Sequence, residues 1–339
     1  MARQKTDNKA ELEKIRRKID AIDNNFLELL KQRIQYAQAI GRIKSLNKRA
    51  KYDPLRERQI YARLLQNNQD EFPEQALRSI FHEIITTCRL SQKRPIVSYL
   101  GPEATFTHLA GVKYFGHSAD YQSIESIEDI FSEVERARTT FGVVPVENSI
   151  EGAVFSTLDS FMKHKVKICG EVNLEISHNL VCQPGIPTLP VFSTGVAAQM
   201  AAKDHSIGAI ASSLAIKTYQ LQVVVSGIED YRGNTTRFLV IGKKSPSRSG
   251  NDKTSLLIGL LDRPGALNEA LSILADKGIN LAKIESRPIK GMQWKYLFFM
   301  DMVGHMEDKK IKEGCTDLQK VCSYYEWLGS YPMTEDDNN

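Results

Sequence analysis

"KRPIVSYLGPEATF", residues 93 to 106, is where the hydrophobic period of the chain changes. Before it, apolar residues recur every three or four positions. Within it, "IVSYL" is a short β-rich run closed by Gly101-Pro102, a pair that interrupts regular structure. A boundary near Arg94 follows, and the rest of the chain can be read outward from it.

Upstream, Leu12, Ile15, Ile19, Ile22, Phe26, Leu29, Leu30, Ile34, Ala37 and Ile40 alternate in threes and fours, which predicts one long amphipathic helix from Ala10 to about Leu46. Helical patterns resume in "DPLRERQIYARLLQ" and "PEQALRSIFHEIITTCRLSQ", where Asp53-Pro54 and Pro73 suit helix starts. Residues 1–93 therefore read as an all-α, three-helix domain. Two shorter helices cannot cover so long a first one, so an intertwined homodimer is expected to bury its stripe.

Downstream, the short apolar runs "IVSYL", "FGVVPV", "KICGEV", "GAIAS", "QVVVSGI" and "RFLVIG" alternate with the helical patterns "IEDIFSEVERA", "FSTLDSFMKH", "GVAAQMAAK" and "LAIKTYQ". That rhythm is α/β and spans residues 94–243. "KKSPSRSGNDK" is polar and rich in Ser with Gly and Pro, so 244–253 reads as a linker. From 254 to 339 the order β-α-β-β-α-β predicts a ferredoxin-like α+β domain.

Composition narrows the class. With 42% hydrophobic and 25% charged residues the chain is an ordinary globular protein, long enough for several cores. No apolar run approaches the roughly 20 residues that span a bilayer, and the N-terminus lacks the apolar segment of a signal peptide. The expectation is a cytoplasmic protein without membrane contact. Five cysteines with no C-x-x-C suggest neither a disulfide framework nor a metal site. Net charge is +4, yet residues 1–95 hold 21 Lys and Arg against 12 Asp and Glu. A basic surplus of this kind suits a small polyanion, nucleic acid or merely a solvated face.

Arg33 and Lys44 lie about three turns apart on one side of the long helix, whereas Arg16 points elsewhere, toward a partner. Asp53, Arg56 and Glu57 form an i, i+3, i+4 group at the next helix start, and Gln92 closes the third helix. "IRRKIDAIDNNFLELLKQRIQYAQAIGRIK" followed by "YDPLRERQI" resembles the all-helical chorismate mutase family. The resemblance implies that Arg16 of a second subunit and Arg33, supported by Arg56, clamp the carboxylates of chorismate. It also implies that Lys44 and Gln92 donate to the ether oxygen, and that Asp53 and Glu57 hold the ring hydroxyl. The rearrangement to prephenate needs no cofactor: the site holds one conformer and stabilises charge growing on the ether oxygen. The family often has Ser where this chain has Cys88.

"YLGPEATFTHLA", "GVVPVENSIEGAV" and "GNTTRFLVIG" resemble, in order, three motifs of the prephenate dehydratase family, whose two-lobed fold is like that of periplasmic binding proteins. The resemblance implies that Thr235, Thr236, Arg237 and Phe238 face prephenate in the cleft. Thr236 would assist departure of hydroxide, Asn148 and Ser149 would orient the substrate, Glu147 would lie nearby, and Arg237 would hold the anionic side or the strand end. Two departures stand out. Ala104 replaces a glycine, which matters where φ is positive. Between Val181 and Phe192 there is no room for the strand and crossover helix that the family carries. That shortening fits an active cleft of compensating geometry, a degenerate dehydratase or an introduced deletion.

"DRPGALNEAL" and "NLAKIESRP" resemble the phenylalanine-binding ACT domain attached to such dehydratases. Gly265, Ala266, Leu267 and Asn268 would meet phenylalanine, with Glu285, Ser286, Arg287 and Pro288 completing a site shared between subunits. Asn268 stands where the family has an apolar or aromatic residue. Three readings follow. The first is a bifunctional enzyme taking chorismate to prephenate and prephenate to phenylpyruvate under feedback by phenylalanine. The second is a mutase whose inactive dehydratase region is a scaffold for an amino-acid sensor. The third, a purely ligand-binding regulator or a nucleic-acid-binding protein using the basic helices, predicts steeply salt-dependent binding to nucleic acid and no chorismate turnover, and the one-sided arrangement of Arg33, Lys44 and Asp53 to Glu57 argues against it.

Overall fold

The computed structural model describes residues 2–46, 54–69, 71–91, 94–117, 119–181, 191–204, 206–288 and 296–334. Asp53 and Gln92 lie outside the described residues, as do residues 182–190 of the shortened segment. The chain divides into two compact units, Met1–Lys51 with Asp70–Arg94, and Tyr52–Gln69 with Pro95–Asn339.

In the first unit α1 (Ala2–Leu46) packs on α3 (Glu74–Leu90), while α2 (Pro54–Asn68) belongs to the second unit. Helix α1 begins ahead of the expected Ala10, because the residues before it include neither Gly nor Pro. Its apolar stripe stays exposed in the single chain: Ile22 is 67% and Ile40 52% accessible.

The second unit holds three sheets. The largest is built from β1 (Ile96–Leu100), α4 (Phe106–Phe115), β2 (Asp120–Ile124), α5 (Ile127–Glu135), β3 (Phe141–Asn148), β4 (Gly152–Ala153), α6 (Phe155–Lys163) and β5 (Lys167–Glu175). The second sheet comprises β6 (Asn179–Val181), β7 (Ala209–Ala211) and β8 (Val225–Ser226), with α7 (Thr194–Lys203) and α8 (Ser213–Tyr219) beside it. The chain then returns to the first sheet as β9 (Thr235–Gly242), giving the order β2-β1-β3-β9-β5 with β4 paired to β3. Strands β1, β2 and β3 run parallel, and β9 runs antiparallel to both β3 and β5. These are two lobes crossed twice by the chain. The second lobe is small, and Ile210, Val223, Val224 and Val225 are each about half exposed on it.

The third sheet is ferredoxin-like: β10 (Asp252–Leu260), α9 (Ala266–Asp276), β11 (Leu281–Pro288), β12 (Tyr296–Val303), α10 (Lys309–Val321) and β13 (Cys322–Pro332), in the antiparallel order β11-β12-β10-β13. Its alternation divides two cores. Leu256, Ile258, Met300 and Met302 pack under α9 and α10. Leu257, Leu297, Phe299, Leu328 and Tyr331 point the other way and join Val144, Val146, Leu239 and Ile241 of the first sheet, with Phe131 of α5 and Phe161 of α6, in one continuous core.

The expected linker is correspondingly not loose. Asp252 and Lys253 already belong to β10, the Asp252 carboxylate accepts from the backbone N–H of Ser249 and Gly250, and Ser245 exchanges hydrogen bonds with the backbone of Ser330. Ser245 and Asp252 are thereby fastened, while Lys244, Ser247 and Arg248 stay exposed.

Strand β13 lies against β5 at Gly329, where φ is 149° and a methyl added to the glycine would overlap the carbonyl oxygen of Ile168. A Gly329→Ala substitution adds positive-φ strain to a backbone clash, so it should cost about 2–4 kcal/mol. A lowered urea midpoint for unfolding of the second unit checks this; an unchanged midpoint would show that the two strands can separate freely.

Candidate functional site

The functional side chains are sorted by the alternation of β9. Thr236 and Phe238 face a cleft of about 960 Å³ between the two lobes, while Arg237, Leu239 and Ile241 face the C-terminal sheet. Across the ladder, Asn148 pairs with Thr236 and Glu147 with Arg237. One polar pair therefore faces the cleft and one charged pair lies behind it.

Asn148 controls the cleft pair. Its Oδ1 accepts from the backbone N–H of Ile150 (2.9 Å) and Glu151 (3.0 Å), which fixes the amide's orientation. Its Nδ2 then donates to Asn234 Oδ1 at 2.7 Å and to Thr236 Oγ1 at 2.8 Å. Because Thr236 accepts in that bond, its own O–H proton is directed elsewhere. Among the described residues no acceptor takes it, and the cleft is where it can go.

Two ten-residue helices begin at the same cleft. Thr105 caps α4 and Ser193 caps α7, and Phe106, Thr107, Thr194 and Val196 of the two first turns line the wall. Unpaired N–H groups and positive dipole ends thus point toward any bound anion. Among the described lining residues none is Lys or Arg. Glu229, also in the lining, is held below its ordinary pKa chiefly by the backbone N–H of His178 and remains a carboxylate.

Several expected contacts are placed otherwise. Arg237 does not face the cleft, since in an extended strand it cannot share a face with Thr236; its guanidinium bonds Glu171, Asp301 and Tyr331. Thr235 and Ser149 fasten each other, with the Thr235 N–H donating to Ser149 Oγ (2.9 Å) and the Ser149 N–H to the Thr235 carbonyl (2.8 Å). They set the start of β9 and do not line the cleft. Glu147 pairs with Lys283.

In the C-terminal sheet Gly265 adopts φ 80° ahead of α9, a conformation glycine takes without strain. Ala266 and Leu267 line a cavity of about 370 Å³ with Leu260, Tyr296 and Phe298. Asn268 is not in that lining. Glu285, Ser286, Arg287 and Pro288 lie on the edge strand β11, away from this cavity's lining. Arg287 is committed to a two-toothed pair with Asp159 of α6, both bonds 2.9 Å, and stacks 4.3 Å over Phe155. In the single chain it is thus a docking residue, because the carboxylate of α6 reaches it first.

Along α1, Arg16 is exposed and paired to Glu13, and Arg33 donates to the Ile84 carbonyl of α3 at 3.3 Å. Lys44 lies in the last turn of α1. Arg56 and Glu57 occupy the first turn of α2, in the other unit.

Comparison with known proteins agrees across the chain. The chorismate mutase type II family matches residues 15–93, the prephenate dehydratase family 97–188 and 183–246, and the ACT domain 254–313. A bifunctional chorismate mutase/prephenate dehydratase of Aquifex aeolicus is 41% identical, covering 95% of this chain and 98% of its own. The chain belongs to the bifunctional chorismate mutase/prephenate dehydratase family. A relative with the same description from Neisseria gonorrhoeae is 37% identical over 94% of this chain and 96% of its own. A prephenate dehydratase from Arthrobacter aurescens, solved in complex with L-Phe, superposes with TM-score 0.64 at 28% identity, covering 70% of this chain and 90% of that one.

Against its relative in the bifunctional chorismate mutase/prephenate dehydratase family this chain is short. The match to Aquifex runs over 354 positions, to which 95% of 339 residues supplies about 322, leaving about 32 positions without a counterpart here. The dehydratase family matches in two stretches that overlap at 183–188, in the segment that lacks room for a strand and helix. The other departure also has a physical reading: Ala104 does sit at φ 64°. The αL strain of about 1–2 kcal/mol is partly offset because its methyl is fully buried, a gain of about 0.8 kcal/mol, and glycine would add chain entropy to the unfolded state. His108 holds the loop there: its Nδ1 accepts from the Ala104 N–H (3.1 Å), and burial lowers its pKa, keeping the ring neutral.

Asn234 and the α4 N-terminus were not anticipated; the Thr105 cap ahead of an apolar segment was the available signal. Asn148→Asp keeps both backbone bonds but loses the donation to Thr236, whose proton then turns to the new carboxylate. Dehydration should fall by about 10²-fold with the fold intact, measured as phenylpyruvate formation beside an unchanged circular dichroism spectrum.

Proposed function

We propose that residues 1–93 convert chorismate to prephenate, that residues 94–243 convert prephenate to phenylpyruvate, and that residues 254–339, joined through 244–253, sense phenylalanine. The observation that carries the second step is the Asn148–Thr236 pair, which leaves one hydroxyl proton directed into the cleft. As carbon dioxide and hydroxide leave prephenate, the ring becomes aromatic, which supplies the driving force. The hydroxide is the poor leaving group, and hydrogen bonding from Thr236 Oγ1 lowers that barrier. The substrate's two carboxylates are received by the N-termini of α4 and α7.

For the mutase step, Arg33 and Arg56, with Arg16 from a second copy, bind the carboxylates. Lys44 and Gln92 stabilise the ether oxygen, and Asp53 and Glu57 hold the hydroxyl. The exposed stripe of α1 supports a homodimer, since Ile15, Ile19, Ile22 and Phe26 are each about half exposed or more in the single chain. Phenylalanine fits the cavity at Ala266 and Leu267, with Glu285, Ser286 and Pro288 supplied from the partner's β11. The protein is assigned to the cytoplasm, in keeping with its unpaired cysteines Cys88, Cys169, Cys315 and Cys322. No cofactor is required by either reaction.

A second reading, mutase activity with a scaffold in place of the dehydratase, is favoured by the missing unit of the second lobe. Supplying purified protein with chorismate and with prephenate separates the two. The bifunctional reading expects phenylpyruvate from both, with phenylalanine slowing its appearance; the scaffold reading expects prephenate to accumulate. Lys44→Ala should abolish chorismate loss alone, and Thr236→Val should abolish phenylpyruvate alone, each by at least about 10²-fold. An unchanged rate in either variant would remove that residue from the mechanism.

A further inference from the structure

Behind the cleft pair lies a square of charges. Glu147 on β3 and Arg237 on β9 are ladder partners, and they face Lys283 on β11 and Asp301 on β12, which are ladder partners in the C-terminal sheet. Glu147 meets Lys283 at 2.5 Å, and Arg237 meets Asp301 at 2.7 Å. Each charge opposes its opposite both along its own sheet and across the seam. The Arg237 corner is the more deeply buried, with Asp301 and Glu171 side chains 1% exposed and Arg237 12%.

That corner is satisfied on every side. Arg237 bonds Glu171 at 2.8 Å, Asp301 at 2.7 Å and the Tyr331 hydroxyl at 3.0 Å. Ser255 bridges Asp301 (2.5 Å) and Tyr331 (2.7 Å), and Lys253 completes the charge balance on Glu171 at 2.9 Å. Burial first, and Asp301 next, hold the Tyr331 phenol well above its ordinary pKa, so it serves as a neutral partner.

A buried pair of this kind adds little stability over an apolar contact, but it fixes geometry in a way that apolar contact does not. The residues fixed here are the immediate chain neighbours of Asn148 and Thr236. Since strand backbone is stiff between adjacent residues, a shift of the C-terminal sheet that drags Arg237 or Glu147 moves the Thr236 hydroxyl relative to the cleft.

We propose that Arg237 is a positioning residue: held by Asp301 and Tyr331, it sets the placement of Thr236 from the reverse face and makes dehydration depend on the position of the C-terminal sheet. The proposal rests on Thr236 as the proton donor to the leaving hydroxide. By linkage, whatever biases the C-terminal sheet is felt at the cleft, and occupancy of the cleft is felt at the C-terminal sheet.

The test uses the full-length protein and two variants that touch no substrate, Asp301→Asn and Tyr331→Phe, the latter removing only a hydroxyl should the former not fold. The dehydratase kcat should fall by about 10-fold or more in Asp301→Asn and by a smaller factor in Tyr331→Phe, with KM for prephenate within about 2-fold of the parent. The phenylalanine concentration that halves the rate should move in the same variants, while chorismate turnover is unchanged. Wild-type kcat and phenylalanine response in a folded variant would overturn the proposal, as would a rise in KM alone. Thr236→Val is run alongside. If it dehydrates normally, or if the parent does not dehydrate at all, the Thr236 reading fails and takes this one with it. If it is inactive while Asp301→Asn is normal, only the positioning role fails.

Discussion

Consecutive residues of an extended strand face opposite ways, and on β9 this constraint separates a hydroxyl from a guanidinium. Thr236 goes to the cleft and Arg237 to the interface, with Phe238 and Leu239 repeating the division one step on. Asn148 and Glu147 pair with Thr236 and Arg237 just beyond a bulge in β3, and divide in the same sense. The sheet therefore has a chemical face and a docking face, and the two motifs that look continuous in sequence contribute alternate residues to each.

The docking face gives the C-terminal sheet more than a tethered role. Leu257, Leu297, Phe299, Leu328 and Tyr331 close the same core as Val144, Val146, Leu239 and Ile241, so removing that sheet would expose the back of β3 and β9. Apolar contact supplies most of the adhesion, at about 25 cal/mol per Å² buried. It is also tolerant of small sliding, whereas the hydrogen-bonded ion pairs of Arg237 and Arg287 are specific to one register. Adhesion and alignment are thus carried by different residues of one interface.

Much of this was legible in the chain. Periodicity placed α1, α3, α5 and α6 because each has a clear apolar side, and the ferredoxin-like order followed from the alternation of patterns after residue 254. Helix α4 escaped because "FTHLAGVKYF" is buried on several sides, so that Thr107, His108, Ala110 and Gly111 erase the amphipathic contrast. Strand β2, "DYQSI", escaped because it is an edge strand with exposed polar residues. Thr236, Asn148 and Phe238, named by motif, do line the cleft. Arg237, Thr235 and Ser149 belong to the same motifs, yet period two already forbids Thr236 and Arg237 from sharing a face. The partner of Arg237 was beyond reach: Asp301 is 64 residues away and belongs to a different pattern.

The cleft's lack of a lining Lys or Arg among the described residues then takes on a chemical sense for the proposed dehydration. As carbon dioxide departs, the charge of one carboxylate disperses into the ring. A full cation fixed on that carboxylate would stabilise the ground state more than the transition state and would slow the step it helps to bind. The N-termini of α4 and α7 offer only about half a charge each, spread over several N–H groups. They can hold a dianion without resisting the loss of one of its charges. The strong cations Arg237 and Lys283 are instead placed behind the sheet and neutralised by carboxylates, so that at the cleft the helix ends and Thr236 stand only against the acidic side chains Glu125, Glu151, Glu229 and Asp230 of the same lining.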